Sequence, residues 1–154
     1  MEASITFKTV GKRVKGKTLL ADLSFGVEKG STFAIIGENG SGKSIILKML
    51  VGLIEKNTGS VYIHGQDIGN RTIETRSLCG YMPQKINLDD ELNIFENIAI
   101  HGELHGLSAL ESEKSTLHWC DMLDLSKFLY SLPYEQSFGV QRKILFARAL
   151  VHNP

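Results

Sequence analysis

The sequence predicts an α/β fold with a strand-rich first half and a helical second half, and three observations carry that prediction. The octapeptide Gly37-Glu38-Asn39-Gly40-Ser41-Gly42-Lys43-Ser44 has the glycine, lysine and hydroxyl spacing of a phosphate-binding loop. It lies between an apolar run of strand length, Thr32 to Ile36, and a stretch in which Ile46, Leu47, Leu50 and Leu53 or Ile54 recur at helical spacing. Beyond Gln84 the pattern changes: Asn93 with Glu96, and Ser108 with Glu111, are helix-start pairs of the capping-box kind.

The elements follow in chain order. Ile5 to Val10 and Leu19 to Val27 read as strands around a turn whose cations Lys12, Arg13, Lys15 and Lys17 read as solvated. The phosphate-loop strand and helix come next, then Gly59 to Ile63 as a strand closed by His64-Gly65. Leu78 to Met82 is a further short strand, stopped by Pro83. A helical segment is expected between Asn93 and Phe128, and Ser137 precedes a helix with Val140, Ile144, Ala147 and Val151 on one face. The expected division is 1–84, a β-rich core; 85–136, a helical part; and 137–154, a last helix, all within one domain.

Composition bounds the function. With 154 residues, 42% of them hydrophobic and 22% charged, the chain is long enough to bury a core. Seventeen Lys and Arg balance seventeen Asp and Glu, and apart from the turn at Lys12 to Lys17 the basic residues are dispersed, so nothing suggests a nucleic-acid groove. The longest apolar stretch, Ile45 to Ile54, is interrupted by Lys48 and Gly52 and is too short to span a bilayer, so a membrane role requires a partner. Cys79 and Cys120 lack CxxC spacing, and no leader is apparent, so free thiols in a reducing cytoplasm are expected.

The loop's spacing has a chemical reason. Glycines let backbone N–H groups close around a β-phosphate where a Cβ would intrude. Lys43 is placed to meet the β- and γ-oxygens, and the Ser44 hydroxyl to coordinate a bridging magnesium, with a helix dipole behind them. The residues expected to hold the nucleotide are Gly37, Asn39, Gly40, Ser41, Gly42, Lys43 and Ser44. Other constellations read as ordinary structure. His101 and His105 flank Glu103 without zinc-protease spacing, Trp119 with Leu117, Met122 and Leu123 reads as core, and Asp89-Asp90-Glu91 reads as a solvated run before a helix.

The order of landmarks resembles the nucleotide-binding domain of ABC-type ATPases over essentially the whole chain. They are Leu23-Ser24-Phe25 before Glu28-Lys29-Gly30, the phosphate loop (Walker A), Leu50-Val51-Gly52-Leu53-Ile54, Thr58-Gly59-Ser60-Val61, and Gly80-Tyr81-Met82-Pro83-Gln84. Ile94-Phe95-Glu96-Asn97-Ile98 and Ala147 to Pro154 complete the series, and the stretch from Tyr81 to Leu107 looks closer to export-type than to import-type members. The resemblance implies a P-loop NTPase (RecA-like) core with an N-terminal antiparallel β part and an inserted helical subdomain. It implies ATP and Mg2+ as ligands, with Lys43 and Gln84 as catalytic residues and Ser44 and Gln84 on the metal. Ser137 and Gly139 match the signature motif, which reaches the nucleotide of a second nucleotide-binding domain in a dimer. A transmembrane permease partner and a cytoplasmic position on the inner face of the membrane are implied likewise.

Departures from the family pattern carry expectations of their own. The signature reads Gln136-Ser137-Phe138-Gly139-Val140, with the usual leucine, first glycine and glutamine replaced. Ile45 stands where a threonine is usual, and losing one hydrogen bond to a charged group lowers affinity about tenfold or more. Val14 stands where an aromatic residue is expected against adenine. The apolar strand with the magnesium aspartate and water-polarising glutamate, and the later switch histidine, match nothing in 1–154. The domain is therefore expected to be C-terminally incomplete, with an unpaired apolar edge beside the phosphate-loop strand. His152 reads as a helix-end residue in a favourable dipole contact. Three functions fit: the ATPase subunit of an exporter, a soluble ABC-type ATPase outside transport, or a nucleotide-binding fragment or remnant without hydrolysis.

Overall fold

The structure is a computed structural model that describes residues 3–70 and 77–154, the residue at 70 by its backbone alone. It forms two compact units, Met1–Leu78 and Cys79–Pro154.

The first unit is built on strands β1 (Ala3–Val14), β2 (Lys17–Glu28), β3 (Thr58–Ile63) and β4 (Gln66–Asp67), in the order β2-β1-β3-β4 and antiparallel throughout. Two-residue turns at Lys15-Gly16 and His64-Gly65 join neighbours, and all four residues have positive φ, as the twist of a tight hairpin requires. The first hairpin and the turn at His64-Gly65 fall where the sequence places them, β1 and β2 are longer at their ends, and β4 is a strand the sequence did not announce. Phe7, Val10, Leu20 and Val61 point from the sheet onto Ile46 and Met49 of α1 (Lys43–Leu50). The rings of Phe7 and Phe25 stack with centroids 4.6 Å apart, and Phe33 stacks on Phe25 at 5.3 Å.

Three expectations need correction in this unit and at the start of the next. Thr32 to Ile36 and Leu78 to Met82 are not strands: neither run has a ladder partner among the described residues. A run of strand-forming residues becomes a strand only when a second backbone satisfies its N–H and C=O groups. Phe33 is 51% exposed and Ile36 92% exposed. Third, Ile46 is buried and Leu50 packs against the same cluster as expected, but Leu47 is exposed with Met49 buried in its stead, and Leu53 lies beyond the helix, which ends at Leu50 in a Schellman motif. In it Leu53 N–H donates to Lys48 O at 2.8 Å and Gly52 N–H to Met49 O at 3.0 Å.

The second unit contains α2 (Ile94–Leu104), α3 (Ala109–Met122) and α4 (Phe138–Leu150). Both predicted capping boxes are present: the Asn93 and Ser108 side chains accept from the N–H of Glu96 and Glu111, whose carboxylates accept from the cap N–H groups. The Ser108 bonds hold the Glu111 carboxyl below its usual range. Ile94 and Ile98 of α2, Cys120 of α3, Leu125, and Ile144, Ala147 and Val151 at α4 form one buried cluster. Trp119 and Leu123 pack against it, whereas Leu117 and Met122 are exposed, so the apolar group expected around Trp119 is only half core. Burial pushes the thiols of Cys79 and Cys120 up to about 11, which keeps them protonated and unreactive at neutral pH.

Gly102 does not interrupt α2. It is buried where α2 crosses α3, and a Cβ there would overlap the Ser112 hydroxyl and come within 3.3 Å of Leu107 Cδ1. Ser112 Oγ donates to Ala99 O at 2.5 Å across the same contact and cannot withdraw without losing that bond. Gly102→Val is therefore expected to destabilise the unit by about 1–3 kcal/mol, read as a lower urea midpoint at unchanged slope. A midpoint shift under a tenth of that size would show that the helices separate freely.

Candidate functional site

The phosphate-binding octapeptide forms a loop that runs directly into α1. Ser41 N–H donates to Glu38 O at 3.2 Å, and Gly40 and Gly42 have φ of 83° and 97°. At Gly42 the need for glycine is doubled: besides its left-handed φ, a Cβ would lie 3.0 Å from Leu20 Cδ2 and 3.4 Å from Leu19 O. Gly42 is also the N-cap of α1, with no side-chain cap and no acidic residue in the first turn. The positive end of the helix is thereby left for an exogenous anion.

Lys43 crosses the loop. Its Nζ donates to Gly37 O at 2.7 Å and to Glu38 O at 2.6 Å, with Ser41 Oγ at 3.5 Å. The ammonium is held over the ring of backbone groups by carbonyls that phosphate oxygens can replace. Gly37 to Ser41 and Ser44 are exposed and open to a ligand. Left-handed glycines, an uncapped helix start and a tethered cation together fit a polyphosphate. Ile45 departs from this group. Its half-buried side chain packs against the apolar cluster of the sheet, so its place in a nucleotide site rests on its N–H, which donates to Gly42 O at 2.9 Å. Val14 is 44% exposed at the end of β1.

The remaining predicted site residues belong to the second unit. Gln84 is exposed, and its backbone is pinned from α4: Arg142 Nη1 donates to Pro83 O at 2.9 Å and to Gln84 O at 3.1 Å. Arg148, a turn and a half further on, donates to Asn87 O at 3.0 Å. Ser137 caps α4, its Oγ accepting from Val140 N–H at 3.4 Å, a bond long enough to leave the hydroxyl available. Gly139 is exposed, with nothing within 4 Å of where a Cβ would stand. The two arginines went unread in the sequence because cations on a helix ordinarily face water; their i, i+6 spacing before an apolar face is the only local hint.

His152 also differs from expectation. It is 8% exposed, its Nε2 faces Cys79 O at 3.2 Å, and its ring stacks on His105 at 4.0 Å. Burial and then His105 push its pKa down, so the charged form needed for a favourable dipole contact is suppressed. His101 is pushed down to about 4, by burial first and then by Arg148, His105 and His152. Both histidines are therefore harder to protonate folded than unfolded. The stability they contribute is complete above the ordinary histidine pKa of 6.5 and is lost as pH falls from there toward about 4. Melting curves in chelator between pH 7.5 and 4.5 should show this loss, reduced in His101→Phe; a parallel profile in that variant would assign the loss to carboxylates.

An exposed glycine–lysine loop heading an uncapped helix defines a phosphate-loop nucleotide-binding protein. The chain belongs to the ABC transporter family, whose sequence profile matches residues 20–154. It is 34% identical over 152 residues to the Nod factor export ATP-binding protein I of Burkholderia thailandensis, covering 99% of this chain and 50% of that protein. With the linearmycin resistance ATP-binding protein LnrL of Bacillus subtilis it shares 30% over 154 residues, covering 100% of this chain and 48% of that one. The chain thus spans about half the length of the curated relatives it matches. A solved ATP-binding subunit of an ABC transporter superposes with a TM-score of 0.86 at 28% identity, over 97% of this chain and 62% of that one. CbiO1 of Clostridium perfringens, part of the ABC transporter complex cbiONQ, gives 0.85 at 18% identity, over 100% and 63%, a likeness of fold. The α/β fold is thus that of ABC ATPase subunits. Among the described residues no helix is long and apolar enough to cross a membrane.

Proposed function

We propose that the chain is the ATP-binding part of an ABC transporter subunit of export type, coupling ATP binding and hydrolysis to transport through a transmembrane permease. The observation that carries this reading is Lys43 tethered across an exposed loop at an uncapped helix start. Gly37 to Ser44 bind the phosphates through backbone N–H groups and the lysine, and the Ile45 N–H lies at the same helix start. Magnesium, when bound, neutralises charge on the transferred phosphoryl group. The Ser44 hydroxyl and the Gln84 amide oxygen are hard donors of the kind it takes. The Arg142 bonds to Pro83 and Gln84 give the glutamine's backbone a fixed tie to the helix that Ser137 caps. Ser137 and Gly139 serve the nucleotide held by a second nucleotide-binding domain, which makes the working unit a dimer on the cytoplasmic, inner face of the membrane. Export is favoured over import by the name of one relative, a Nod factor export ATP-binding protein.

The test joins two readouts on the 154-residue chain: binding of a fluorescent ATP analogue with magnesium, and phosphate release in the same sample. The family's magnesium aspartate and water-polarising glutamate match no residue of 1–154, so binding without turnover is expected. A soluble, folded chain that fails to bind the analogue would refute the reading. Steady turnover would show that hydrolysis does not need those two carboxylates.

A further inference from the structure

We propose that His101, His105 and His152 form a site for a divalent transition-metal ion of the zinc class, tying α2 to the chain that leaves α4. The inference does not depend on the nucleotide reading. His101 and His105 lie one turn apart, on the same face of α2 and at its end, and His152 stands just past α4. A ring nitrogen of each lies within 4.8 Å of the others. Three nitrogens bound to one zinc at about 2.0–2.1 Å lie roughly 3.4 Å apart in tetrahedral geometry, so closing the site needs ring rotations and about an ångström of approach. The ring centroids, 5.0 Å apart for His101 and His105 and 4.0 Å for His105 and His152, show that the side chains already share one pocket.

The hydrogen bonding favours a ligand over simple packing. His152 Nε2 faces the carbonyl of Cys79 at 3.2 Å, and His101 is bonded to the backbone of Arg148. An imidazole that donates to a carbonyl through one nitrogen carries its lone pair on the other. In both residues Nδ1 is buried and has no hydrogen-bond partner. A carbonyl on one nitrogen and a bare lone pair on the other is how metal-ligating histidines are held and oriented. If the pocket required only apolar filling, phenylalanine would serve without stranding buried nitrogens. Imidazole ligands suit zinc, copper and nickel rather than magnesium or calcium, and three protein ligands leave a fourth position for water or a small ligand. Arg148 acts on His101 as a neighbouring positive charge and is itself balanced by Asp89.

Zn2+ alone is the probe. Titrated into the chelator-stripped 154-residue chain against a chromogenic competitor, it should bind at one equivalent with sub-micromolar affinity and raise the melting temperature. His101→Phe and His105→Phe should each weaken binding by at least about 100-fold, beyond the ~10–100-fold typical of losing an outer-shell partner. On the unmodified chain, Co2+ should give a four-coordinate visible spectrum without the near-ultraviolet band of a thiolate ligand. That readout decides the matter even if a variant fails to fold. Absence of binding at micromolar Zn2+, affinity unchanged in both variants, or a thiolate band placing the ion on Cys79 or Cys120 would each overturn the proposal.

Discussion

Lys43→Ala is expected to lower affinity for ATP by about 100-fold or more while leaving the melting temperature nearly unchanged. The Lys43 ammonium already points across the loop, donating to Gly37 O and Glu38 O at 2.7 and 2.6 Å, so ligand binding exchanges carbonyl acceptors for charged phosphate oxygens without a search over rotamers. A hydrogen bond to a charged group is worth about 1.5–3 kcal/mol, and two such bonds give about 3–6 kcal/mol, or at least two decades of affinity. Stability should move little, because the loop is exposed and its carbonyls can be hydrated once the lysine is gone. Lys43→Arg should not rescue binding, since a planar guanidinium cannot occupy the place of a compact ammonium inside the ring of N–H groups. Fluorescent-analogue titration beside a melting curve checks both parts. Equal affinity in the alanine variant would remove the phosphate loop from the site.

What the sequence disclosed was chemistry set by near neighbours. The phosphate loop, the capping boxes at Asn93 and Ser108 and the helix behind Ser137 depend on residues three or four positions apart, and each stands where it is expected. Strand propensity over Thr32 to Ile36 and Leu78 to Met82 was a conditional statement, because a strand needs another backbone opposite it. The face of α1 was read rightly at Ile46 and Leu50 but not at Leu47, in whose stead Met49 is buried, nor at Leu53, which Gly52 leaves beyond the end of the helix. Within the candidate site, Gly37 to Ser44 were legible from spacing alone, while Arg142 and Arg148 needed the fold to show which carbonyls they meet. His152 was the least legible. Its partners His101 and His105 are some fifty residues away, and only the packing of α2 against α4 makes the three neighbours.

Asn97→Leu should cost about 2–5 kcal/mol, the largest stability loss foreseen for any single side chain here. Asn97 is 2% exposed, and its amide organises the turn that leads into α2. Its Nδ2 donates to Asp89 O and Leu92 O at 2.9 Å and to Asn93 O at 3.1 Å, while its Oδ1 accepts from Asp89 N–H at 2.9 Å. Leucine matches the volume and supplies no partner, so several backbone groups of the turn lose their bonds together. At about 2–4 °C per kcal/mol for a chain of this length, the melting temperature should fall by roughly 5–15 °C. Asn97→Asp separates shape from donation. It keeps the acceptor for Asp89 N–H and loses the donors, and it buries a carboxylate facing three carbonyl oxygens, which favours the protonated acid. Its deficit should therefore shrink as pH falls through the carboxyl's raised pKa, whereas that of the leucine variant should not. A loss below about 1 kcal/mol for Asn97→Leu would mean that water replaces the amide and that the turn between Asp89 and Asn93 is held by its backbone alone.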